Sequence, residues 1–165
     1  MRWVLEMNKV YIGKIVNTHG IKGEVRILSK FPYKEEVFVI GNELIVDDKS
    51  YVIKSYRKHK SFDMVTLNDY VDINEVLFLV GKEVYFDKDK LVLKSNELLD
   101  EDLVKFDAIT PDERVGKITE VFDSGAGNKV LRVMLDREYL IPYNEEFVEI
   151  DKVNHRVIIK VIDGM

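Results

Sequence analysis

Cysteine is absent from this 165-residue chain, which removes disulfides, thiolate zinc sites, iron-sulfur clusters and cysteine nucleophiles together. Histidine is scarce: only His19, His59 and His155 occur. They fall in separate expected turns or strand ends, with no spacing that would set two imidazoles on one helical face to hold a metal. No metal site and no other cofactor is expected. Long apolar runs are missing too. None nears the roughly 20 residues that cross a bilayer, and Met1 to Met7 is interrupted by Glu6 before a signal-like core develops. A cytoplasmic protein without a membrane partner is the expectation.

What is present is ordinary globular material, with 46% hydrophobic and 33% charged residues. The length suits one compact domain or two small ones. The net charge of −5 is unevenly spread. From Met1 to Lys90 there are 15 basic and 14 acidic residues, or +1, and from Leu91 to Met165 there are 10 and 16, or −6. Between Lys9 and Lys34 stand Lys9, Lys14, Lys22, Arg26, Lys30 and Lys34 against Glu24 alone, and Arg57-Lys58-His59-Lys60 adds a second basic cluster. A basic patch on the first half follows.

Tyr11 to Val16 and Glu24 to Leu28 mix β-branched, aromatic and charged residues between glycines, the pattern of half-buried strands. Glu43 to Val46 and Tyr51 to Tyr56 flank the polar turn Asp47-Asp48-Lys49-Ser50 and read as a hairpin, and Met64 to Leu67 as a further strand. Asp72 followed by Glu75 matches a capping box, so one short helix is expected with Val76, Leu77 and Leu79 as its apolar face, ending before Gly81. Lys82 to Phe86 returns to strand. The charged stretch Asp87 to Asp102 suits a linker, with a boundary near Leu93. Beyond it, Val115–Phe122, Val130–Leu135, Tyr139–Ile141, Phe147–Ile150 and Val157–Ile162 are short strands at barrel-like spacing. The expected fold is mainly β: two small barrels, 1–92 and 93–165, joined by a linker, with a short helix near the end of the first. Ile12-Gly13-Lys14-Ile15 is echoed by Val115-Gly116-Lys117-Ile118.

Catalytic patterns are wanting. Ser124 in Asp-Ser-Gly-Ala-Gly lacks the preceding glycine and following helix of a nucleophile elbow, and Gly20-Ile-Lys-Gly23 leads into a strand, unlike a phosphate loop. The basic residues read either as phosphate contacts along an RNA backbone or as a solvated face. Lys14, His19, Lys22, Arg26, Arg57, Lys58 and Lys60 are the candidate RNA contacts. Tyr11, Phe31, Tyr33 and Tyr56 read as core aromatics before base-stacking ones. Leu103 and Val104, inside Asp100-Glu-Asp-Leu-Val-Lys105, form an apolar pair in an acidic background. They either anchor a basic partner or pin the linker onto the second barrel. Ile141 and Pro142 either extend that partner surface or end a strand.

Two stretches carry a resemblance. "VYIGKIVNTHGIKGEVRI", with Gly13, Lys14, His19, Gly20, Gly23, Glu24 and Val25, resembles the opening signature of the ribosome maturation factor RimM family. "RVGKITEVFDSGAGNKVLRV" followed by "YLIPYNEEFVEID", with Gly116, Gly125, Asn128, Val130, Leu131, Ile141 and Pro142, resembles that family's C-terminal PRC-barrel. The resemblance implies a non-enzymatic assembly factor that binds the immature small ribosomal subunit and assists maturation of the head of its 16S rRNA. It also implies a basic head-domain ribosomal protein as partner, the nineteenth of the small-subunit series. The acidic half would then meet that protein, and the basic opening stretch would lie near RNA. The family's tyrosine pair before the PRC-barrel falls here at Leu103 and Val104, on an alignment through Asp102 and Asp107. The alternative is a general RNA-binding barrel acting outside the ribosome.

Overall fold

A computed structural model describes residues 8–125 and 127–161. Met1 to Met7, and the end of the last expected strand from Ile162, lie outside the described residues. The chain divides into two compact units, Met1–Val92 and Leu93–Met165.

In the first unit, alternation of apolar and polar residues builds β1 (Lys9–His19), β2 (Glu24–Leu28), β3 (Glu43–Val46), β4 (Lys49–His59), β5 (Phe62–Leu67) and β6 (Glu83–Asp87). They close a barrel in the order β1-β2-β5-β4-β3-β6. Closure leaves no free sheet edge, and it directs Ile12, Ile15, Ile27, Leu44, Ile53 and Phe86 into one core. Each such side chain contributes about 1.5–3 kcal/mol on burial. β1 bends through register shifts between Tyr11 and Gly13 against β6 and between Ile15 and Asn17 against β2. Gly13 sits where a Cβ would collide with the Leu28 carbonyl oxygen, and Gly116 where one would collide with that of Met134. The echoed Ile/Val-Gly-Lys-Ile therefore marks the same device twice, a strand glycine that admits its neighbour's backbone.

The β3–β4 hairpin turns at Asp47 and Asp48, with φ of 51° and 59°, where a two-residue loop must be left-handed. The expected capping box also forms: the Asp72 carboxylate accepts the Asn74 N–H, and the Glu75 carboxylate accepts the Asp72 N–H. The helix behind it does not. Two 3-10 turns, Ile73–Glu75 and Leu77–Leu79, take its place. Val76 and Leu79 are buried while Leu77 is exposed, and a spacing of three suits the tighter 3-10 repeat.

A one-turn helix, α1 (Lys34–Val37), is held to the barrel wall by Asp63, whose carboxylate is fully buried. It accepts from Lys34 Nζ at 2.7 Å and from the Tyr56 hydroxyl at 2.6 Å. Burial, and then the bond and charge of Asp63, push the Tyr56 phenol up to about 12. A raised folded value means stabilisation that is complete below the unfolded value near 10 and lost as pH rises through about 12. Ultraviolet difference titration of the folded chain should show one phenolate forming about two units late, and that step should vanish in Tyr56→Phe. All the tyrosines ionising together near the ordinary value would contradict the Asp63 bond.

In the second unit, α2 (Asp100–Leu103) precedes β7 (Asp107–Ile109), β8 (Val115–Asp123), β9 (Lys129–Met134), β10 (Glu138–Pro142), β11 (Val148–Asp151) and β12 (Arg156–Ile159). The barrel-like sheet runs β10-β9-β8-β7-β12-β11, with β7 and β12 parallel. Leu103, Phe106, Ile118, Leu131, Val133 and Ile141 belong to its core.

Candidate nucleic-acid interface

The β1–β2 hairpin sets His19 opposite Glu24 and Asn17 opposite Arg26. Its turn is drawn tight by Gly20 and Gly23, with φ of +68° and +84°. At Gly23 a Cβ would press on the backbone of Tyr70 and Asp72 at 3.3 Å, so only glycine lets the turn lie against that segment. Across β2, Arg26 pairs with Met64 of β5, and Met64 pairs with Arg57 of β4. Two more links finish the cluster. Arg57 donates from Nε and Nη2 to both carboxylate oxygens of Glu24, at 2.9 and 2.8 Å. The rings of His19 and His59 stand 5.4 Å apart, inclined by 48°.

Arg26 Nη2 donates to His19 Nδ1 at 2.6 Å, and its guanidinium lies over the Phe62 ring at 5.6 Å. A guanidinium only donates, so Nδ1 is the acceptor of this bond. Arg26 Nε is buried and has no hydrogen-bond partner among the described residues. The bonds from Arg57 hold the Glu24 carboxyl below the usual range against the opposing effect of its burial. Partial burial, followed by the charges of Arg57, His19, Lys60 and Arg26, pushes His59 below its ordinary value.

Of the candidate RNA contacts, His19, Arg26 and Arg57 meet in this cluster. Lys22 lines a groove with His19, Ile21 and Glu24, and Lys60 follows His59 in the β4–β5 turn. Two stand apart. Lys14 is exposed on β1 opposite Leu28 and Glu83, and Lys58 lines a different groove with Phe31, Lys34 and Tyr56. Tyr56 stacks on Phe38 at 5.4 Å, whereas Tyr11 meets Tyr85 edge-on at 5.7 Å but is 51% exposed, outside the core expected for it. His59 and Glu24 are cluster members that were not among the candidate contacts, and only the strand order brings them in.

The partner-surface candidates need correction. Leu103 and Ile141 are both 0% exposed. Leu103 closes the sheet's core from α2, and Ile141 faces inward from β10 between outward neighbours. Neither can be an exposed anchor. Val104, at 39% exposed, and the half-buried Pro142 remain at the surface. Beyond Pro142 lies a groove lined by Tyr143, Glu145, Glu149 and Ile150 together with Ser95 and Asn96, an apolar floor with an acidic rim. Ser124 is spent in its turn, its hydroxyl donating to the Asn128 carbonyl at 2.9 Å. No helix among the described residues is long and apolar enough to cross a membrane.

The chain is a two-unit β protein, a closed six-stranded barrel followed by a second six-stranded sheet whose unit carries a net charge of −6. Residues 10–91 match the model of the RimM N-terminal domain, and residues 100–165 that of the RimM PRC barrel domain. The chain belongs to the RimM family of ribosome maturation factors. The ribosome maturation factor RimM of Staphylococcus saprophyticus is 36% identical over 166 residues, covering 95% of this chain and 98% of the relative. That of Staphylococcus aureus is 35% identical with the same coverage. A crystal structure from Pseudomonas aeruginosa, described as a 16S ribosomal RNA processing protein RimM, aligns over 94% of this chain and 98% of that one, at 25% identity and a TM-score of 0.45. The family consists of assembly factors rather than enzymes. The relatives' named role is ribosome maturation.

Proposed function

We propose that this protein binds the immature small ribosomal subunit through both units, the first against 16S rRNA and the second against a basic head-domain ribosomal protein, the nineteenth of its series. Binding would stabilise one arrangement of RNA and protein, and no bond need be broken. The observation that carries this reading is the division of charge. The first 92 residues hold +1 and the remaining 73 hold −6, and Lys22, Arg26, Arg57 and Lys60 of the first unit gather around the β1–β2 hairpin and the neighbouring β4–β5 turn. Lysine and arginine there would replace condensed counterions along a phosphate backbone. The acidic rim around Tyr143 and Ile150 would steer a basic protein and offer it apolar contact area.

The test uses full-length variants and purified immature small subunits. Lys22→Glu/Lys60→Glu should weaken binding to a 16S rRNA transcript by about tenfold, with a shallower salt dependence. It should leave binding to the isolated ribosomal protein unchanged. Glu145→Lys/Glu149→Lys should do the reverse. If both variants lost RNA and protein binding equally, the division of labour would fail. If the parent bound unrelated RNAs as tightly as immature subunits, the general RNA-binding alternative would replace it.

A further inference from the structure

The cluster at His19 and His59 is short of acceptors. Arg26, Arg57, His59, Lys22 and Lys60 bring many N–H donors, whereas among the described residues Glu24 is the only carboxylate in hydrogen-bond contact with this cluster, and Arg57 takes both of its oxygens. The remaining acceptor is an imidazole nitrogen, His19 Nδ1, which holds one arm of Arg26. Arg26 Nε finds no partner at all among the described residues although it is buried. A group with several anionic oxygens is what this donor set lacks, and a phosphate supplies it.

We propose that His19 and His59 form a proton-coupled phosphate site, in which a backbone phosphate of RNA lies against both rings, each takes up a proton from solvent, and binding therefore tightens as pH falls. The proposal rests on the reading of the first unit as the RNA-binding one. Rings 5.4 Å apart can each direct an N–H to a different oxygen of one phosphate. Protonation of His19 at Nδ1 ends its acceptance from Arg26, which frees Nη2 to turn to the same anion.

The surrounding charges explain why the protons arrive with the ligand. From β1 comes His19; from β2, Glu24 and Arg26; from β4, Arg57 and His59. The turns add Lys22 and Lys60, and β5 adds only the Phe62 ring and the Thr66 hydroxyl. Against the hairpin turn lies the Tyr70–Asp72 backbone, and the Asp72 carboxylate is engaged with the Asn74 N–H. With Glu24 neutralised by Arg57, the surplus is positive and disfavours imidazolium. Burial, and after it this positive surplus, already hold His59 below its ordinary value. A phosphate reverses the sign of that field, and by linkage whatever protonates the rings strengthens phosphate binding.

The experiment measures binding of the full chain to a labelled transcript of the 16S rRNA head domain at constant ionic strength, from about pH 7.5 to about pH 5.5, the range in which imidazole titrates. The parent should tighten about tenfold over that range and His19→Gln/His59→Gln by less than about twofold. In the parent, the two imidazole resonances should also move to their protonated positions when the transcript is added at fixed pH. That readout does not depend on how well the double variant folds. An unchanged pH dependence in the variant, or imidazole resonances that stay put, would overturn the proton-coupled site and leave RNA binding standing. A parent that bound no transcript at any pH would overturn the RNA reading and the site with it. Resonances that answered to inorganic phosphate and not to the transcript would overturn the assignment to RNA.

Discussion

Leu103→Ala is expected to lower the stability of the second unit by about 3 kcal/mol, while Val104→Ala, one position on, costs less than about 0.5 kcal/mol. Leu103 is fully buried with Phe106, Ile118 and Leu131. It projects from a four-residue helix, α2, that has little other apolar hold on the sheet. Truncation removes the transfer energy of its side chain and leaves a cavity that this short helix can only partly close. Val104 points outward and loses little. Amide exchange in β8 and β9 measures the effect, because those central strands open only when the unit does. Protection there should fall by about two orders of magnitude in Leu103→Ala and hold in Val104→Ala. If Leu103→Ala stayed as protected as the parent yet lost its ribosomal partner, Leu103 would be a contact after all. The same contrast separates folding from docking: Val104→Asp probes the surface without opening the core, whereas Asp at position 103 would bury a charge.

These two adjacent residues also show what the sequence can carry. The acidic background of Asp100-Glu-Asp is common to both, and composition alone says nothing about which one turns inward. For Ile141 the signal was present: Tyr139 and Ile141 alternate with the exposed Leu140, the period of a half-buried strand. The strands were legible wherever such alternation ran for several residues, and β2 is the Glu24–Leu28 run itself. So was the hairpin at Asp47-Asp48, whose chemistry is local. Segments of one turn were not. α1, α2 and the three-residue β7 are too short to show a period, and β7 is held by a parallel pairing with β12 nearly fifty positions away. The phosphate-site candidate lies furthest from sequence reasoning. His19 and His59 are forty positions apart, and only the order β1-β2-β5-β4 places two scattered turn histidines in one cluster. Charge counting found the basic region but not its centre.

Asp63→Ala should destabilise the first barrel by about 3 kcal/mol, the size expected when one member of a buried charged network is removed. Sequence offers no warning, since Asp63 is a lone charge two residues after Ser61, just ahead of the expected strand from Met64. In the structure it is the fixed point for α1: Lys34 and Tyr56 both donate to it, and Val37, buried on the same short helix, packs only if the helix stays down. Truncation leaves the Lys34 ammonium without its anion and the Tyr56 hydroxyl without its acceptor, each partly withdrawn from water. Lys34→Met is the instructive partner, because it strands the carboxylate instead and should cost a comparable amount. The double variant Lys34→Met/Asp63→Leu replaces the pair with apolar groups and should recover much of the loss, giving a coupling of more than about 1 kcal/mol in a double-mutant cycle. Additive losses would mean that the two charges act independently. The Tyr56 phenol supplies an independent check: without Asp63 its ionisation should fall back from about 12 toward the ordinary tyrosine value, so the late step in the alkaline titration should move even if denaturation resolves no change in stability.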